Sequence, residues 1–265
     1  ADLASQPNRG LEVQLCGDAH VLNFGLWATP ERNLLFDLRD FDETLPGPFE
    51  WDLKRLAASL VVAARASGIK ARTAEAAVTA AAAAYRKRMR RYVDAPELDI
   101  WYDSIHVDSL IGYFEPADRG RLSIHIEKEA RVRTSQGAFA KLTSMVNGRP
   151  RIDEDPPVRV TIDDDEQADL VDQLFAQYRL TLQEDRRRLF DRFTLVDVVR
   201  QVVGVGSVGM RVYLVLLEGR RGDDPLFLQV KQAAASVYEA HVRPSRHDNH
   251  GERVISGKRA LQSAT

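Results

Sequence analysis

Asp18 and Asn23 have the residue types and the spacing of a phosphoryl-transfer loop. They lie five residues apart in the run Gly-Asp-Ala-His-Val-Leu-Asn at residues 17–23. In phosphotransferases with this spacing, the aspartate accepts the proton of the substrate hydroxyl and the asparagine oxygen binds Mg²⁺. Because the pair is common in unrelated proteins, its meaning depends on what the rest of the chain supplies.

Two further carboxylates that suit a metal ion follow in the same part of the chain. Asp40 and Asp42 flank Phe41 directly after a predicted strand. A hard Mg²⁺ ion takes carboxylate and amide oxygens and needs only one or two carboxylates from the protein. We therefore expect Asn23, Asp40 and Asp42 to supply metal ligands. The alternative is an acidic turn that holds no metal.

A glycine-rich segment in the last third of the chain is typical of a loop that covers nucleotide phosphates. It contains Gly204, Gly206, Ser207 and Gly209, and it precedes two predicted strands, the second of which ends in Lys231. In that arrangement the loop backbone covers the phosphates of ATP and the lysine contacts the α- and β-phosphates. The alternative is a hairpin with a glycine bulge, whose lysine faces water.

His20 gives the first motif a second interpretation. Residues 17–20 also open the metallophosphoesterase pattern, and residues 247–252, His-Asp-Asn-His-Gly-Glu, are similar to the Gly-Asn-His-Glu box of those enzymes. The middle element of that pattern, a second Gly-Asp followed by Asp-Arg-Gly, does not occur between them. We therefore expect His20 to hydrogen-bond the loop, and a metal-dependent phosphoesterase stays the alternative enzyme.

Hydrophobic patterning predicts the elements that position the first motifs. Strands are expected at residues 11–16 and 33–38, which are short, apolar and bounded by turns, and we expect them to pair. Pro-Gly-Pro at residues 46–48 breaks the chain before a helix at residues 49–66. A second helix is expected at residues 73–93, which include a run of alanines.

The later part of the chain changes from helical to β-type patterning. Helices are predicted at residues 126–133 and 166–191, and a β-hairpin at residues 211–231. We therefore expect an α+β fold in two parts. Residues 1–195 form a mainly helical part with the catalytic and metal-binding loops, and residues 196–265 form the nucleotide-covering hairpin with the start of a following helix.

Composition limits the class of the protein and its partners. The 265 residues include 37 basic and 39 acidic ones, so no global field attracts the chain to nucleic acid or to an anionic membrane. No apolar stretch approaches the roughly 20 residues that span a bilayer. The single cysteine, Cys16, excludes an intrachain disulfide, and we expect a buried thiol in a cytoplasmic protein.

Together these motifs resemble the bacterial domain-of-unknown-function 2252 family. The resemblance is carried by residues 17–25, 36–43, 47–57, 203–209 and 229–231 and spans nearly the whole chain. Members are similar to protein-kinase-like and aminoglycoside-phosphotransferase-like proteins. The resemblance therefore implies a protein-kinase-like fold, binding of ATP and Mg²⁺, and phosphoryl transfer to a hydroxyl-bearing acceptor.

The resemblance also selects one metal aspartate. In aminoglycoside- and choline-kinase-like proteins, a Gly-x-x-x-x-Asp-Leu segment follows the metal aspartate. The aspartate of that segment lies twelve residues after the metal aspartate, and Asp52 lies twelve residues after Asp40. Gly47 supplies the glycine of that segment. This spacing favours Asp40 over Asp37 or Asp42 as the main ligand.

Two features depart from ordinary kinases. The glycine loop and Lys231 follow Asp18 instead of preceding it, so we expect a circularly permuted fold. Lys231 also requires a glutamate partner, for which Glu239 and Glu252 are both candidates. Since the sequence begins without methionine and stops inside a predicted helix, we further expect a piece of a longer protein.

The motifs are compatible with more than one acceptor and with a protein that is not an enzyme. The acceptor is a small hydroxyl compound, an aminoglycoside-like molecule or a protein side chain. The alternative without catalysis is a kinase-like module that binds nucleotide and serves as a scaffold. None of the motifs specifies an oligomeric state.

Overall fold

The computed structural model describes residues 2–132, 134–162, 165–203 and 209–263. Of the residues in the glycine-rich segment, Gly204, Gly206 and Ser207 lie outside these ranges. Gly209 lies inside them and has a positive φ of 83°, a conformation that glycine adopts without strain.

The chain contacts divide the structure into two compact units. Unit 1 comprises Ala1–Arg119 and Ala233–Thr265, and unit 2 comprises Gly120–Gln232. The boundary predicted between residues 195 and 196 lies inside a strand of unit 2, because the glycine-rich hairpin extends a sheet whose other strands come earlier in the chain. The mixture of helices and antiparallel sheets confirms the predicted α+β class.

The strands described in unit 1 form two antiparallel pairs. They are β1 (Glu12–Leu15), β2 (Phe24–Ala28), β3 (Leu34–Leu38) and β4 (Leu45–Pro48). β1 pairs with β4, and β2 pairs with β3. The predicted pairing of β1 with β3 is therefore wrong, because β2 precedes β3 directly along the chain and forms a hairpin with it.

The prolines of β4 explain why patterning missed this strand. Proline has no N–H to donate to a ladder, so a Pro-Gly-Pro run predicts a break. Here Pro46 and Pro48 lie opposite Gln14 and Glu12 in a sheet of only two strands. Both strands of such a sheet are edge strands, which tolerate proline. The predicted break is thus a strand that leads directly into a helix.

The helices that begin in unit 1 include both of the long ones predicted from periodicity. They are α1 (Glu50–Ala66), α2 (Ala71–Val93), α3 (Glu97–Trp101), α4 (Val107–Gly112) and α5 (Pro116–Val132). α1 and α2 lie against each other. α5 starts before the predicted residue 126, at Pro116, since proline is favoured in the first turn of a helix. None of the helices in the described part of the chain has the length and apolar character that a membrane crossing requires.

Unit 2 is built around one antiparallel sheet with helices in the connections. Its remaining elements are α6 (Ser135–Leu142), β5 (Thr143–Val146), β6 (Arg149–Ile152), β7 (Arg159–Thr161), α7 (Asp165–Thr181), α8 (Glu184–Phe190), β8 (Phe193–Gln201), β9 (Val212–Gly219) and β10 (Pro225–Lys231). The strand order is β10-β9-β8-β7, and β5 pairs with β6. The predicted β9–β10 hairpin is confirmed.

The single helix predicted at residues 166–191 is two helices, α7 and α8. Arg187 Nη2 donates to the carbonyls of Leu180 and Leu182 at 3.0 Å each. These carbonyls lie at the end of α7, where the helix itself offers no donors. The side chain of the next helix therefore stabilises the end of the first, a contact that periodicity does not reveal.

β9 is one of the two inner strands of the four-stranded sheet, and both of its faces are apolar. Leu214 and Leu216 pack with Ile152 and Val199 on one face. The alternate residues, among them Val215, pack on the other face in a second cluster. A continuous apolar run is what a strand covered on both sides requires.

The last helix, α9 (His250–Leu261), returns the chain to unit 1. It begins at Asn249, whose side chain accepts the N–H of Glu252, and it lies against β1. Gly257 of α9 faces the fully buried Thr44. A Cβ at position 257 would lie 2.2 Å from Thr44 Oγ1 and 2.4 Å from its Cγ2. Only glycine therefore allows α9 to approach the start of β4 this closely.

We expect Gly257→Ala to lower the free energy of unfolding by about 1–3 kcal/mol, the range for overpacking a tightly packed site. Urea denaturation followed by circular dichroism measures the change. Gly112→Ala is the matched control, because an added Cβ at position 112 has no atom within 4 Å. Equal stabilities of the two variants would contradict the close approach of α9 to Thr44.

Candidate functional site

The side-chain amide of Asn23 joins the two loops that carry the predicted catalytic and metal residues. Asn23 is 3% exposed. Its Nδ2 donates to the carbonyls of Asp18 at 3.0 Å and Asp40 at 2.9 Å, and it lies 3.3 Å from Cys16 Sγ. Its Oδ1 accepts the N–H groups of Arg39 at 3.2 Å and Asp40 at 2.7 Å. The amide thus fixes the backbones of both loops at once.

These bonds bear on the predicted role of Asn23 as a metal ligand. An amide oxygen has two lone pairs, and both are used by backbone donors in this arrangement. Asn23 therefore fits the role of a clamp between loops and does not fit the role of a Mg²⁺ ligand. The carboxylates of Asp18, Asp40 and Asp42 are the oxygens whose chemistry suits a hard cation.

The Asp18 carboxylate is held from its own loop and from α1. Its Oδ1 accepts from Arg55 Nε at 2.6 Å, and the side chain of Asp18 is 43% exposed. Oδ2 lies 3.7 Å from His20 Nε2. His20 Nδ1 accepts the N–H of Leu22 at 3.2 Å, so the proton of a neutral ring is on Nε2, which faces Asp18. His20 hydrogen-bonds the loop, as the sequence predicts.

Asp52 fixes the start of the same loop from the first turn of α1. Its Oδ2 accepts the N–H of Cys16 at 2.7 Å, and its Oδ1 accepts the N–H of Gly17 at 3.1 Å. Burial raises the pKa of Asp52, although these two donors act in the opposite direction. The residue that precedes α1, Phe49, makes no side-chain cap. Asp52 is therefore a loop anchor and not a helix cap.

Gly17 is required at this point by its conformation and by its neighbours. Its φ is +96°, and a Cβ would lie 2.2 Å from the carbonyl oxygen of Glu43. Tyr238 Oη donates to the Gly17 carbonyl, and the Tyr238 ring lies 5.2 Å from that of Trp51. Burial, followed by the charges of Asp52 and Asp18, raises the pKa of Tyr238 to about 12, so the phenol remains a donor.

A 3₁₀ turn at Val237–Ala240 holds the segment that follows Asp42. The hydroxyl of Ser236 donates to Glu43, and Val237 N donates to Glu43 Oε2 at 2.8 Å. The carboxylate of Glu239 accepts from Ser236 N in a capping box and lies 4.0 Å from Arg253 Nε. Glu239, one of the two candidate partners of Lys231, thus hydrogen-bonds the backbone of unit 1.

Asp40 and Asp42 lie on a turn that Arg253 fixes from α9. Asp40 is exposed, and its Oδ1 accepts the N–H of Asp42 at 3.1 Å. Arg253, which is 2% exposed, donates to the carbonyls of Asp42 at 2.7 Å and Thr44 at 2.6 Å. Asp37 instead accepts the backbone N–H of Ser263. Asp37 is therefore part of the scaffold, in line with the preference for Asp40.

The exposed side of Asp18 opens into a cleft of about 440 Å³ within unit 1. Three carboxylates line it, those of Asp2, Asp18 and Glu43, together with the guanidinium of Arg55 and the ring of His241. Asp40 and Asp42 are not among the described residues that line the cleft. The structure thus joins the backbones of Asp18 and Asp40, but of these two residues only Asp18 lines the cleft.

The remaining predicted site residues belong to unit 2. Lys231 ends β10 opposite Val212 of β9 and is partly buried. Gly209 lies just before β9. Among the described residues, no group of three or more His, Cys, Asp or Glu side chains is arranged to hold a metal ion. A site that depends on one or two carboxylates and substrate phosphates needs no such group.

Sequence reasoning missed Arg55, Tyr238 and Arg253. Arg55 is on the exposed side of α1, where periodicity indicates only a solvated charge. Arg253 is a charged residue in a helix, a type that is rarely fully buried without partners. The one signal in the sequence was the spacing of Asp52 from Asp40, which pointed to the α1 anchor without giving its hydrogen bonds.

We expect Asp52→Ala to destabilise the protein by about 1–3 kcal/mol, because the N–H groups of Cys16 and Gly17 lose their acceptor. The raised pKa of Asp52 means that the native state binds its proton more tightly than the unfolded state. The stabilising contribution of Asp52 is therefore largest at low pH and falls as the pH rises through the folded-state pKa. The difference in the free energy of unfolding between wild type and variant should therefore be larger at about pH 4, close to the ordinary pKa of 3.8, than at about pH 7.5.

Urea denaturation at the two pH values measures this difference. Asp99→Asn is the control, because it also removes one carboxylate, from an exposed position in α3. A difference that widens with pH would contradict the raised pKa, and no difference at either pH would contradict the anchoring role.

The Cys16 thiol should be unreactive in the native protein. Cys16 is 2% exposed, and burial, with the charge of Asp52 next in size, raises its pKa from 9.0 to about 12. The thiolate is the reactive form, so this shift alone should slow alkylation by iodoacetamide at pH 8 about a thousandfold. Mass spectrometry of the native and the urea-unfolded protein measures the two rates. Equal rates would show that Cys16 is accessible.

Comparison with known proteins gives one match. Residues 1–265 match the family described as uncharacterized protein conserved in bacteria (DUF2252). No curated protein and no solved structure matches the chain. The chain belongs to the DUF2252 family of uncharacterized bacterial proteins.

Proposed function

We propose that this protein is a kinase-like phosphotransferase that uses ATP and Mg²⁺ to phosphorylate a hydroxyl-bearing acceptor. The observation that carries the proposal is the Asn23 clamp. One buried amide binds the backbone of Asp18, the proposed proton acceptor, and the backbone of Asp40, the proposed metal ligand. Phosphoryl transfer depends mainly on positioning and charge neutralisation, and such a clamp supports positioning.

Asp18 has the features of a residue that receives an acceptor hydroxyl. Its carboxylate is 43% exposed at the edge of the cleft, and its orientation is fixed by Arg55 at 2.6 Å. The proposed role of Asp18 is to accept the hydroxyl proton and to direct the oxygen toward the phosphorus atom. Asp52 supports this role because it holds the backbone one residue before Asp18.

Asp40 is the proposed main Mg²⁺ ligand, with Asp42 as the second. Both carry the hard oxygens that Mg²⁺ prefers, and Mg²⁺ commonly takes its remaining ligands from water and substrate phosphates. When bound, the ion neutralises charge on the phosphates during transfer. The chain fixes the Asp40–Asp42 turn through Asn23 on one side and Arg253 on the other.

The hairpin of β9 and β10 is the proposed cover for the nucleotide. In this proposal Gly204, Gly206, Ser207 and Gly209 lie over the phosphates, and Lys231 contacts them. The chain order, with the hairpin after the catalytic loop, makes the proposed kinase-like fold a circular permutation. Glu239 contacts Ser236 and Arg253 within unit 1, and the glutamate partner of Lys231 stays a prediction, with Glu239 and Glu252 as the candidates.

The charge of the cleft favours a neutral or cationic acceptor. Its lining includes three carboxylates and one guanidinium, a formal excess of two negative charges with His241 neutral. An anionic hydroxyl compound would be repelled from such a surface, whereas an amine-bearing one would be attracted. A polyhydroxyl or amino-sugar compound is therefore the proposed acceptor class.

A second candidate is a nucleotide-binding module without catalysis. The observation that favours it is the use of both lone pairs of Asn23 Oδ1 by backbone donors, which leaves the predicted catalytic pair with only one functional member. The phosphoesterase alternative gains no such support, since no metal-holding group of His, Cys, Asp and Glu is found among the described residues.

Two conservative variants test the proposal. We expect Asp40→Asn to weaken binding of MgATP at least about tenfold, because it removes a charged ligand oxygen. Asp18→Asn should retain MgATP binding and lower ATP turnover about a hundredfold or more, the usual contribution of general base catalysis. Isothermal titration calorimetry measures binding, and formation of ADP in the presence of an amino-sugar panel measures turnover.

Asp99→Asn serves as the control, because Asp99 is an exposed carboxylate on α3. Equal MgATP affinity of wild type and Asp40→Asn would refute the metal assignment. Binding that responds to Asp40→Asn, without turnover on any acceptor, would favour the non-catalytic module. No binding of MgATP to the wild type would refute both candidates.

A further inference from the structure

A smaller pocket of unit 1 is lined by Arg253, the residue that holds the turn of Asp40 and Asp42. It has a volume of about 200 Å³, and β1 and β4 contribute Gln14, Leu45 and Pro46 to its wall. The opposite wall is the segment of residues 243–247, which leads toward α9. This pocket, called the arginine pocket below, shares none of its lining residues with the cleft at Asp18.

The arginine pocket is strongly basic. Arg243, Arg246 and Arg253 line it together with His247, and no carboxylate is among its described lining residues. The cleft at Asp18 has the opposite character, with three carboxylates and one guanidinium. Two cavities of opposite charge do not suit the same ligand.

The four basic groups differ in how far acidic neighbours neutralise them. Arg243 forms an ion pair with Glu12. His247 Nδ1 lies 3.6 Å from Glu252, a distance at which a hydrogen bond is weak. Arg246 is exposed, and none of the ion pairs and hydrogen bonds between described residues involves it. At least one guanidinium at the pocket therefore retains its full hydrogen-bonding capacity.

Arg253 provides the most unusual group, a buried guanidinium with an unsatisfied donor. Its side chain is 2% exposed, and its terminal nitrogens donate to three carbonyls, those of Asp42, Thr44 and Ala234. Its Nε donates to no acceptor among the described residues, and Glu239 Oε1 is 4.0 Å away. A buried charge is costly unless it is compensated, and Glu239 compensates this one only at 4.0 Å, so the guanidinium still favours a further anion.

Ser245 adds a neutral donor to the pocket wall. Its Oγ accepts the N–H of His247 at 3.1 Å. A hydroxyl that accepts one bond still has its hydrogen to donate. Guanidinium groups, with a hydroxyl beside them, are the usual partners of a phosphate, because the planar guanidinium matches two phosphate oxygens at once.

We propose that the arginine pocket binds a phosphate group, either free phosphate or the phosphate of a small monoester. Its volume of about 200 Å³ is below the roughly 300–1,000 Å³ typical of pockets for drug-sized ligands, so it suits a small anion and not a nucleotide. The proposal does not depend on kinase activity. The bound anion would lie close to the turn of Asp40 and Asp42, because Arg253 lines the pocket and also donates to the carbonyls of Asp42 and Thr44.

Calorimetric titration of the wild type with inorganic phosphate, at constant ionic strength, tests the proposal. We expect saturable binding of phosphate and none of chloride. Arg246→Ala should weaken phosphate binding about tenfold to a hundredfold, the loss expected for a hydrogen bond to a charged group. Because Arg246 is exposed, this variant should fold normally, which circular dichroism checks.

Two control variants locate the bound phosphate. Arg90→Ala removes the same charge from the exposed end of α2 and should leave phosphate binding unchanged. Lys231→Met tests the competing possibility that phosphate binds at the proposed nucleotide site, since Lys231 is not a lining residue of the arginine pocket. Phosphate binding that is lost in Lys231→Met and retained in Arg246→Ala would overturn the proposal.

A parallel titration with glycerol phosphate distinguishes the two sources of the phosphate group. Tighter binding of glycerol phosphate than of phosphate, lost in Arg246→Ala, would assign the site to a monoester. Tighter binding of phosphate, lost in the same variant, would assign it to the free anion. No saturable binding of either compound would overturn the proposal.

Discussion

The buried amide of Asn23 is the interaction on which the candidate site depends. It donates to the carbonyls of Asp18 and Asp40 and accepts the N–H groups of Arg39 and Asp40. These backbone groups lie in loops, so the amide supplies the hydrogen bonds that a neighbouring strand would supply in a sheet. A buried polar side chain is stable only when its hydrogen-bonding groups are satisfied. The donor and acceptor groups of Asn23 are all satisfied only when the two loops adopt this one arrangement. In this network the amide oxygen accepts two backbone N–H groups, which fits the role of a clamp better than that of a metal ligand.

Two charged residues extend the network to the helices. Asp52 connects the first turn of α1 to the backbone of Cys16 and Gly17, and Arg253 connects α9 to the carbonyls of Asp42 and Thr44. Both are charges held away from water, which is costly unless each receives several hydrogen bonds. The raised pKa of Asp52 reflects that cost. The loops are thus positioned by polar contacts at their ends, while apolar packing holds the elements beneath them.

Two of the cavities of unit 1 carry opposite charge. The cleft at Asp18 is rich in carboxylates, and the arginine pocket is rich in guanidinium groups. The formal net charge of the chain, −2, conceals this division because the two contributions cancel over the whole sequence. Local arrangement, and not net charge, therefore decides which ligands unit 1 attracts.

The sequence by itself determined the features that depend on neighbours along the chain. Helices α1 and α2 and the β9–β10 hairpin follow from local periodicity and short connections, and patterning predicted them. The spacing of Asp18, Asn23 and Asp40 identified the segment in which the loops meet. The site residues of the glycine-rich segment at 204–207 lie outside the described residues, and their role stays a prediction.

Only the tertiary structure decided the contacts between segments that are distant along the chain. β1 pairs with the proline-containing β4, Asp52 binds a backbone N–H 35 residues earlier, and Arg253 binds a carbonyl 209 residues earlier. Such contacts form only when packing brings together segments that are far apart in the sequence, and the local periodicity of hydrophobic residues carries no information about that packing. The role of Asn23 was decided in the same way. Its spacing from Asp18 suggested a ligand, and the distant backbone of Asp40 made it a clamp.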